Sequence, residues 1–435
     1  MSLDDNRSNE SGLMVDIDLG KSTLKKVAWR LIPFICLLYL MNIIDRANVG
    51  FARLQMQDDL LLSEDTFNVG YGMFYVGYLL FEVPSNLLMK RVGARLWIAR
   101  IMISWGLISS LSMFAWDQWS FYGLRICLGI AEAGFFPGII LYLSYWFPER
   151  ERAKMTAFFM MAIGLAFVFG NPLSGFIMQY LDTYAGLHGW QWLFLLEGIP
   201  SVILGVAVFY YLTEYPRDAS WLSSEQKDWL VSEMENEEQQ RKQRFNADRL
   251  SAVLQWRVWL LIAIYSTLAV GTNASGAYFP KLIKQQFDYL DTFQIGLLSA
   301  LPHICAIVGM IVFSISSDRM NERRGHLIVA ALLAVIGWSL AAANFSPVIA
   351  LVGLCIAQTG MMSMIPVFWT LPTAFLTGAA LAGGIAMINS VANIGGIFAA
   401  TILGTYGLWS MAVIHFVGVV LLITVQENSA KERTS

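Results

Sequence analysis

Four ionisable residues lie inside apolar segments of the chain: Asp45 and Arg46 in one segment, Arg125 and Glu132 in another. A charged side chain at the centre of a membrane-spanning helix costs about 2.5–3.5 kcal/mol on insertion scales. Two acids and two bases can offset that cost by pairing with one another. Because such a cluster is costly to keep, these residue types favour a path or binding site for ions and anionic solutes.

The composition supports placing these residues in a membrane. Hydrophobic residues make up 56% of the 435 residues and charged residues only 14%, whereas a soluble domain carries roughly a quarter charged residues. The formal net charge of −3 is small and gives no reason to expect a nucleic-acid partner. The composition therefore favours a multi-pass membrane protein surrounded by a lipid bilayer.

The sequence lacks the motifs of an enzyme or an ATP-driven pump. Gly20-Lys-Ser22 looks like the end of a phosphate-binding loop, but Val15 stands where that loop requires glycine. The four cysteines show no CxxC spacing, which indicates neither a metal site nor a disulfide. We therefore predict that the chain is not an enzyme and holds no metal or cofactor.

Apolar segments of about 20 residues, long enough to cross a bilayer, recur twelve times. A polar interval separates the first six from the last six, and Ser223 followed by Gln226 predicts a capped surface helix within it. The predicted organisation is an N-terminal segment (1–28), a six-helix bundle (29–212), a linker (213–256), a second six-helix bundle (257–425) and a tail (426–435). The predicted spans are 29–50, 67–89, 96–115, 119–147, 154–180, 190–212, 257–280, 292–316, 326–344, 348–368, 378–403 and 406–425.

Lysine and arginine are distributed unevenly between the two sides of these spans. They cluster before span one, between spans two and three, after span four, in the linker, after span eight and in the tail. Only Arg53, Lys281 and Lys284 fall in connections on the opposite side. Because cytoplasmic loops are enriched in lysine and arginine, we expect both termini and the linker to be cytoplasmic.

Helical spacing assigns faces to the charged residues. Tyr39, Asn42 and Arg46 follow an i, i+3, i+7 pattern and share one face of span one. Asp45 is one step around that helix, about 100° away, so it can face a neighbouring helix while Arg46 faces a cavity. Arg125 and Glu132 are seven residues apart, about 10 Å along one face of span four.

Several motifs carry a resemblance to a known family. They lie in the expected spans and in the expected order: Tyr39-Leu-Met-Asn-Ile-Ile-Asp-Arg-Ala-Asn48, Phe81-Glu-Val-Pro-Ser-Asn86, Gly93-Ala-Arg-Leu-Trp-Ile-Ala-Arg100, Arg125-Ile-Cys-Leu-Gly-Ile-Ala-Glu-Ala-Gly134, Trp146-Phe-Pro-Glu-Arg-Glu-Arg-Ala153, Trp192-Leu-Phe-Leu-Leu-Glu-Gly198 and Ile388-Asn-Ser-Val-Ala-Asn393. With these motifs the chain resembles the major facilitator superfamily, and within it the anion:cation symporter group. The nearest likeness is to bacterial permeases for hydroxyphenylacetate, tartrate and phthalate-like acids.

The resemblance implies an all-α membrane protein with twelve helices in two pseudo-symmetric bundles. It also implies a monomer in the bacterial inner membrane that takes up a small organic carboxylate (a sugar acid, hydroxy acid or aromatic acid) by alternating access, with protons as the coupling ion. The short basic turns after spans two and eight correspond to the family's gating motif. Lys90 replaces the usual acidic residue in the first copy, and the candidate gating residues are Arg91, Arg95, Asp318, Arg319 and Arg323.

Roles for the intramembrane residues follow as hypotheses. Arg46 would hold the substrate carboxylate because a guanidinium matches a carboxylate in a two-point contact. Asp45 and Glu132 would carry protons, and Arg125 would balance their charge in the resting state. The second half has no central intramembrane charge and would bind the part of the solute other than its carboxylate. The remaining candidate binding residues are Tyr39, Asn42, Arg125, Tyr75, Tyr78, Asn273, Gln358, Trp369, Asn389 and Asn393.

Two other functions stay open at the level of sequence. An exchanger of an organic anion for phosphate would also use paired arginines, but without the acidic partners. A transporter-like receptor would need an output domain or a distinctive loop, and the linker offers no recognisable one. A channel is disfavoured because two halves around a midplane site suit alternating access.

Overall fold

The computed structural model describes residues 4–245, 255–373 and 378–425, and within these ranges all regular secondary structure is helical. The predicted tail at 426–435 lies outside the described residues. The α-helices are α1 (Asp4–Asp59), α2 (Glu64–Val92), α3 (Ala94–Leu111), α4 (Gln118–Glu132), α5 (Phe135–Trp146), α6 (Glu149–Met160), α7 (Ala162–Tyr180), α8 (Gly189–Tyr211), α9 (Ser224–Phe245), α10 (Trp256–Gln286), α11 (Thr292–Met320), α12 (Arg324–Ala343), α13 (Pro347–Phe368), α14 (Thr370–Thr373), α15 (Gly378–Tyr406) and α16 (Leu408–Thr424).

The chain is a multi-pass membrane protein. Ten segments of the described residues are long and apolar enough to cross a membrane, and α16 is a shorter apolar helix. Large apolar side chains cover the outer surface, including Leu80, Ile203 and Val413, each more than 60% exposed. Such exposure suits a surface that contacts lipid. Together with α2, which is not among the ten, and α16, these segments give the twelve spans of the fold: α1, α2, α3, α4–α5, α6–α7, α8, α10, α11, α12, α13, α15 and α16.

Two sets of helices form the molecule. In the first set α3 packs against α8, α2 against α4, and α1 against α7 and α8. In the second set α13 packs against α11 and α12, and α10 against α15. The two sets meet along α7 and α11, α2 and α15, and α1 and α10. The residues of the predicted charged cluster therefore lie in the first bundle, on α1 and α4.

Span four is interrupted, although the sequence predicted one continuous segment at 119–147. Helix α4 ends at Glu132 and α5 begins at Phe135 because Gly134 has a left-handed backbone (φ 89°). A side chain at Gly134 would strain this backbone and collide with Ser85. Ser85 fixes the break, since its hydroxyl donates to the Ala133 carbonyl oxygen at 2.6 Å. Glu132 therefore lies at a helix end and not in mid-helix.

The linker contains the surface helix that the sequence predicted. The Ser223 N–H donates to Gln226 Oε1 and the Gln226 N–H donates to Ser223 Oγ, both at 3.3 Å, which confirms the predicted cap of α9. Helix α9 contacts α1, where Trp229 lies over Gly20. It also contacts the start of α6 through an ion pair between Arg152 and Glu237 (2.7 Å). The linker helix is thus fastened to the first bundle.

Close approach of α2 and α4 depends on a glycine. A Cβ at Gly129 would lie 2.0 Å from the Phe74 carbonyl oxygen, whereas a Cβ at Gly123 on the same helix would meet nothing within 4 Å. We expect Gly129→Ala to destabilise the protein by about 1–3 kcal/mol, the usual cost of overpacking. Thermal unfolding in detergent, followed by tryptophan fluorescence, measures the effect. Gly123→Ala is the matched control, and equal melting temperatures for the two variants would contradict the interpretation.

Candidate functional site

Asp45 is buried among neutral hydrogen-bond donors. Its side chain is 1% exposed, and it points away from α2 towards α3 and α8. Oδ2 accepts from Trp105 Nε1 (2.8 Å) and Ser201 Oγ (2.6 Å), and Oδ1 accepts from Ser109 Oγ (2.9 Å). The expectation that an arginine pairs with Asp45 is therefore wrong for this conformation, because three uncharged donors already occupy the carboxylate.

Arg46 faces the opposite way, as its position one step around the helix predicted. Its guanidinium forms an ion pair with Glu132 at the end of α4. It also lies over the rings of Phe74 and Tyr78 on α2, at 5.1 and 5.3 Å from their centroids. The Arg46 side chain is 27% exposed and that of Glu132 is 1% exposed. This pair holds α1 and α4 together, and the arginine is the more exposed of the two side chains.

Arg125 is a buried guanidinium without a hydrogen-bond partner among the described residues. The residue is 2% exposed, and none of its Nε, Nη1 and Nη2 atoms meets an acceptor. It is held by aromatic faces alone: its Cζ lies 5.1 Å from the Phe74 ring centroid and 5.7 Å from that of Tyr71. Buried cations are normally paired, because five N–H donors without acceptors are costly. The arrangement leaves a position for an anion at Arg125.

Aromatic residues beside Arg125 connect the two bundles. The Tyr71 hydroxyl donates to the Asn273 carbonyl oxygen at 3.1 Å, and the Tyr75 hydroxyl donates to Asn273 Oδ1. The Asn273 amide nitrogen donates within α10, to the Ala269 carbonyl oxygen at 2.8 Å. Asn273, predicted to bind substrate, therefore bridges α2 and α10 next to the charged cluster.

Other predicted binding residues lie in three separate environments. Tyr39 stacks on Phe159 with a centroid distance of 4.3 Å, and Asn42 is buried with its amide nitrogen unpartnered. Gln358 lies 3.3 Å from His303 Nδ1, while its Oε1 has no partner. Trp369 packs on Tyr265, and Asn389 and Asn393 are half-buried on one face of α15. Within the described residues, these side chains form no hydrogen bond to Arg46, Arg125 or Glu132.

The candidate gating residues lie at the end of the molecule near the linker. Arg91, Arg95, Asp318 and Arg319 are exposed, and Arg323 pairs with Asp318 at 2.6 Å. In the first copy of the motif, Glu214 caps α3 by accepting the backbone N–H groups of Ala94 (2.6 Å) and Arg95 (2.9 Å). Glu214, which the sequence did not single out, therefore supplies a carboxylate in the half where Lys90 replaces the usual acid.

The opposite end of the molecule is closed by a network that sequence reasoning missed. Glu64 on α2 accepts from Arg53 on α1 and from Lys281 on α10, and the Tyr278 hydroxyl lies 2.9 Å from Glu64 Oε1 and 2.8 Å from Asn68 Oδ1. We call these five residues the lock. Arg53 and Lys281 were visible in the sequence as rare basic residues on this side, but their common partner was not.

Glu64 lies just outside the predicted span 67–89, and its surroundings favour the ionised form. Partial burial opposes ionisation, but the hydrogen bond from Lys281 and the charge of Arg53 outweigh it and lower the pKa of Glu64 from 4.5 to about 2. A lowered pKa means that the interaction is complete above the unpaired value and is lost as the pH falls towards 2. Glu64 therefore stays ionised throughout the physiological pH range.

Removing the charge of Glu64 should weaken the lock. We expect Glu64→Gln to broaden and lengthen the distance between spin labels placed at the exposed residues Leu61 and Tyr289, in a background without native cysteines. The reason is that Arg53 and Lys281 would then repel each other without a shared carboxylate. Double electron–electron resonance measures the distance. The neighbouring Asp65→Asn serves as a control, and an unchanged distribution for Glu64→Gln would show that the lock does not hold this end closed.

Comparison with known proteins agrees with this architecture. Over 387 residues the chain is 46% identical to the "Putative tartrate transporter" of Agrobacterium vitis, covering 89% of this chain and 88% of the relative. It is 44% identical over 400 residues to the "Putative metabolite transport protein NicT" of Pseudomonas putida, covering 91% of each. Among solved structures, a D-xylose–proton symporter superposes with a TM-score of 0.74 at 17% identity, covering 92% of this chain and 98% of the other.

The match to a family model extends over both bundles. Residues 35–400 fit the Major Facilitator Superfamily, and this range includes Asp45, Arg46, Arg125, Glu132 and the lock. The relatives and the family are transporters, in agreement with the predicted class of protein. The chain therefore belongs to the major facilitator superfamily of membrane transporters.

Proposed function

We propose that the chain is a proton-coupled symporter that takes up an organic carboxylate by alternating access. The observation that carries the proposal is Arg125, a guanidinium that is 2% exposed, lies against Phe74 and Tyr71, and has no acceptor among the described residues. A carboxylate is the planar acceptor that suits a guanidinium best. The predicted roles are thus revised: Arg125 receives the anion first, and Arg46 is held by Glu132.

Arg46 provides a second contact that depends on protonation. While Glu132 is ionised, its ion pair occupies the Arg46 guanidinium. Protonation of Glu132 removes that charge and frees Arg46 for a second carboxylate or a hydroxyl group of the solute. Both guanidinium carbons lie 5.1 Å from the same Phe74 ring, so one small solute can engage both. A hydroxylated acid with one or two carboxylates fits this arrangement, and tartrate, named for a relative, is of this class.

Asp45 is suited to carry a coupled proton. It has no cationic partner among the described residues, so its charge is not fixed by an ion pair. The Ser109 and Ser201 hydroxyls can donate to an ionised carboxylate, and either can accept from a protonated one, whereas Trp105 Nε1 only donates. The same pocket therefore accommodates both protonation states without rearrangement of the helices.

The second bundle contributes neutral contacts. Gln358 Oε1 is buried without a hydrogen-bond partner among the described residues, the Trp369 indole lies beside Tyr265, and Asn389 and Asn393 share a half-buried face of α15. Neutral donors and acceptors suit the hydroxyl or ring portion of an acid. In this scheme the first bundle binds the carboxylate and the proton, and the second bundle selects among acids.

Alternating access requires that the two ends of the site open in turn. The lock closes the end formed by the α1–α2 turn and the end of α10, which basic-residue placement assigns to the outside of a bacterial inner membrane. Breaking the contacts of Glu64 with Lys281 and Tyr278 would separate α2 from α10 and open that end. The cytoplasmic end would then be closed by the candidate gating residues Arg91, Arg95, Asp318, Arg319 and Arg323.

Uptake into proteoliposomes tests the proposal. A labelled panel of sugar acids, hydroxy acids and aromatic acids is supplied with and without an inward proton gradient. We expect one class of acid to accumulate above its external concentration only when the gradient is present. Uptake confined to vesicles preloaded with phosphate or another anion would instead show an exchanger. An Arg125→Ala protein, expected to show no uptake of the selected acid, controls for nonspecific binding.

A further inference from the structure

The first bundle contains a third buried carboxylate, Glu197 on α8, to which the proposed function assigns no role. The residue is 2% exposed. Its Oε1 accepts a hydrogen bond from Ser174 Oγ on α7 at 2.7 Å. An ionised carboxylate normally fills both oxygens when it is buried. Burial with few neutral donors and no cationic partner among the described residues favours a carboxyl group that holds a proton.

The neighbours of Glu197 are uncharged, with one exception. Asn48 on α1 offers its side-chain amide to the carboxyl group of Glu197. Helix α3 presents Ser110 beside Gly198, and α7 presents Ser174. Asp45 is the charged group that acts on Glu197 among the described residues, and it is an acid. No described cation is placed to stabilise an ionised Glu197.

Asp45 and Glu197 lie at neighbouring levels of the interface between α1 and α8, which we call the seam. Ser201, which donates to Asp45, follows Glu197 by one helical turn on α8, and Asn48 follows Asp45 by about one turn on α1. The charge of Asp45 acts on Glu197, and two neighbouring buried carboxylates repel each other when both are ionised. The geometry favours states in which one of the two carries a proton.

Apolar residues close the seam beyond Glu197. The next level along α1 and α8 is formed by Ala52 and Leu193, both 0% exposed. The following polar contact is Gln55 Oε1 with the Trp190 N–H (3.1 Å), about 10 Å further along α1 than Asn48. Asp45 and Asn48 are therefore the polar neighbours of Glu197 on α1, and apolar side chains lie between Glu197 and the next polar contact towards the lock.

We propose that Glu197 is a second proton-binding site that receives a proton from Asp45, which then binds another, so that two protons cross the membrane with each solute. In the step, the proton leaves the Asp45 carboxyl group and joins the Glu197 carboxylate, and the total charge of the pair is unchanged. This inference rests on the proposed function for its consequence in transport, but not for the protonation itself.

Glu197→Gln tests the transport consequence because glutamine resembles a protonated glutamate that cannot release its proton. With an inward gradient of one pH unit, each coupled proton supports about tenfold accumulation. We expect the variant to accumulate the selected acid about tenfold less than the wild type, while substrate exchange without a gradient continues at the wild-type rate. Glu225→Gln, the same substitution at an exposed residue of α9, should accumulate like the wild type. Equal accumulation by Glu197→Gln and wild type would overturn the proposal.

Infrared difference spectroscopy of the substrate-free protein tests protonation independently of transport. We expect a protonated-carboxyl C=O band that loses intensity as the pH rises and is absent from Glu197→Gln. A band that persists unchanged in Glu197→Gln would overturn the proposal. The infrared band tests the protonation of Glu197 even if the wild type shows no gradient-driven uptake. That absence of uptake would contradict the proposed function alone. If Glu197→Gln does not fold, Glu197→Asp replaces it, and we expect this variant to keep the wild-type band and part of the accumulation. A folded Glu197→Asp protein without the band would overturn the proposal.

Discussion

Asp45→Asn should abolish gradient-driven accumulation while leaving exchange of substrate across the membrane intact. Asparagine has nearly the same shape and still accepts from Trp105 and Ser201, but it cannot take up or release a proton. The carrier would therefore bind and reorient with solute and lose its connection to the proton gradient. Proteoliposome uptake with an inward gradient, compared with counterflow between equal pH values, separates the two properties.

The control for Asp45→Asn is Ser109→Ala. This variant removes one of the three donors around Asp45 but keeps the carboxyl group, so we expect it to retain uphill uptake. Robust accumulation by Asp45→Asn would show that the coupled proton is carried elsewhere, and loss of exchange as well as accumulation would assign Asp45 a structural role.

Arg125→Lys should weaken substrate binding even though the charge is kept. Losing one partner of a buried, hydrogen-bonded charge pair costs about 2–5 kcal/mol, which corresponds to roughly a 30-fold or greater increase in Kd. Lysine cannot offer the planar two-point contact of a guanidinium, and it loses the stacking on Phe74 and Tyr71. Isothermal titration calorimetry with the acid selected in the uptake experiment measures the change.

Arg100→Lys is the matched control for Arg125→Lys. Arg100 also lies over an aromatic ring, 4.1 Å from the centroid of Trp97, but it is in α3 at a distance from the charged cluster. We expect its substrate affinity to equal that of the wild type. An Arg125→Lys protein that binds as tightly as the wild type would move the carboxylate contact to Arg46, the residue that helical spacing first suggested.

The features that sequence predicted here are those set by local spacing. The apolar segments, the cap at Ser223 and Gln226, and the different directions of Asp45 and Arg46 all follow from positions along one helix. The pairing of charges does not, because it depends on which helices are neighbours and at what depth. Asp45 was expected to meet an arginine and instead meets donors from α3 and α8.

Residues that are far apart in the chain were also missed for this reason. Glu64 and Lys281 come together only when α2 and α10 are adjacent. Glu197 resembled any single polar residue in an apolar helix until its surroundings were known. The break after Glu132 had a local signal in Ala133-Gly134, but glycine is common in membrane helices and does not by itself predict an interruption.

The four intramembrane charges of the cluster all lie in the first bundle, and their sum determines how the transporter would respond to the membrane potential. With Asp45 and Glu132 ionised, their charges balance those of Arg46 and Arg125, so return of the empty carrier moves no net charge from this cluster through the membrane field. A monovalent anion accompanied by one proton is likewise neutral, and the membrane potential would then contribute nothing to uptake. Each additional proton carried with the anion would add about 2.3 kcal/mol of driving force per 100 mV. The electrical current that accompanies uptake therefore counts the protons directly.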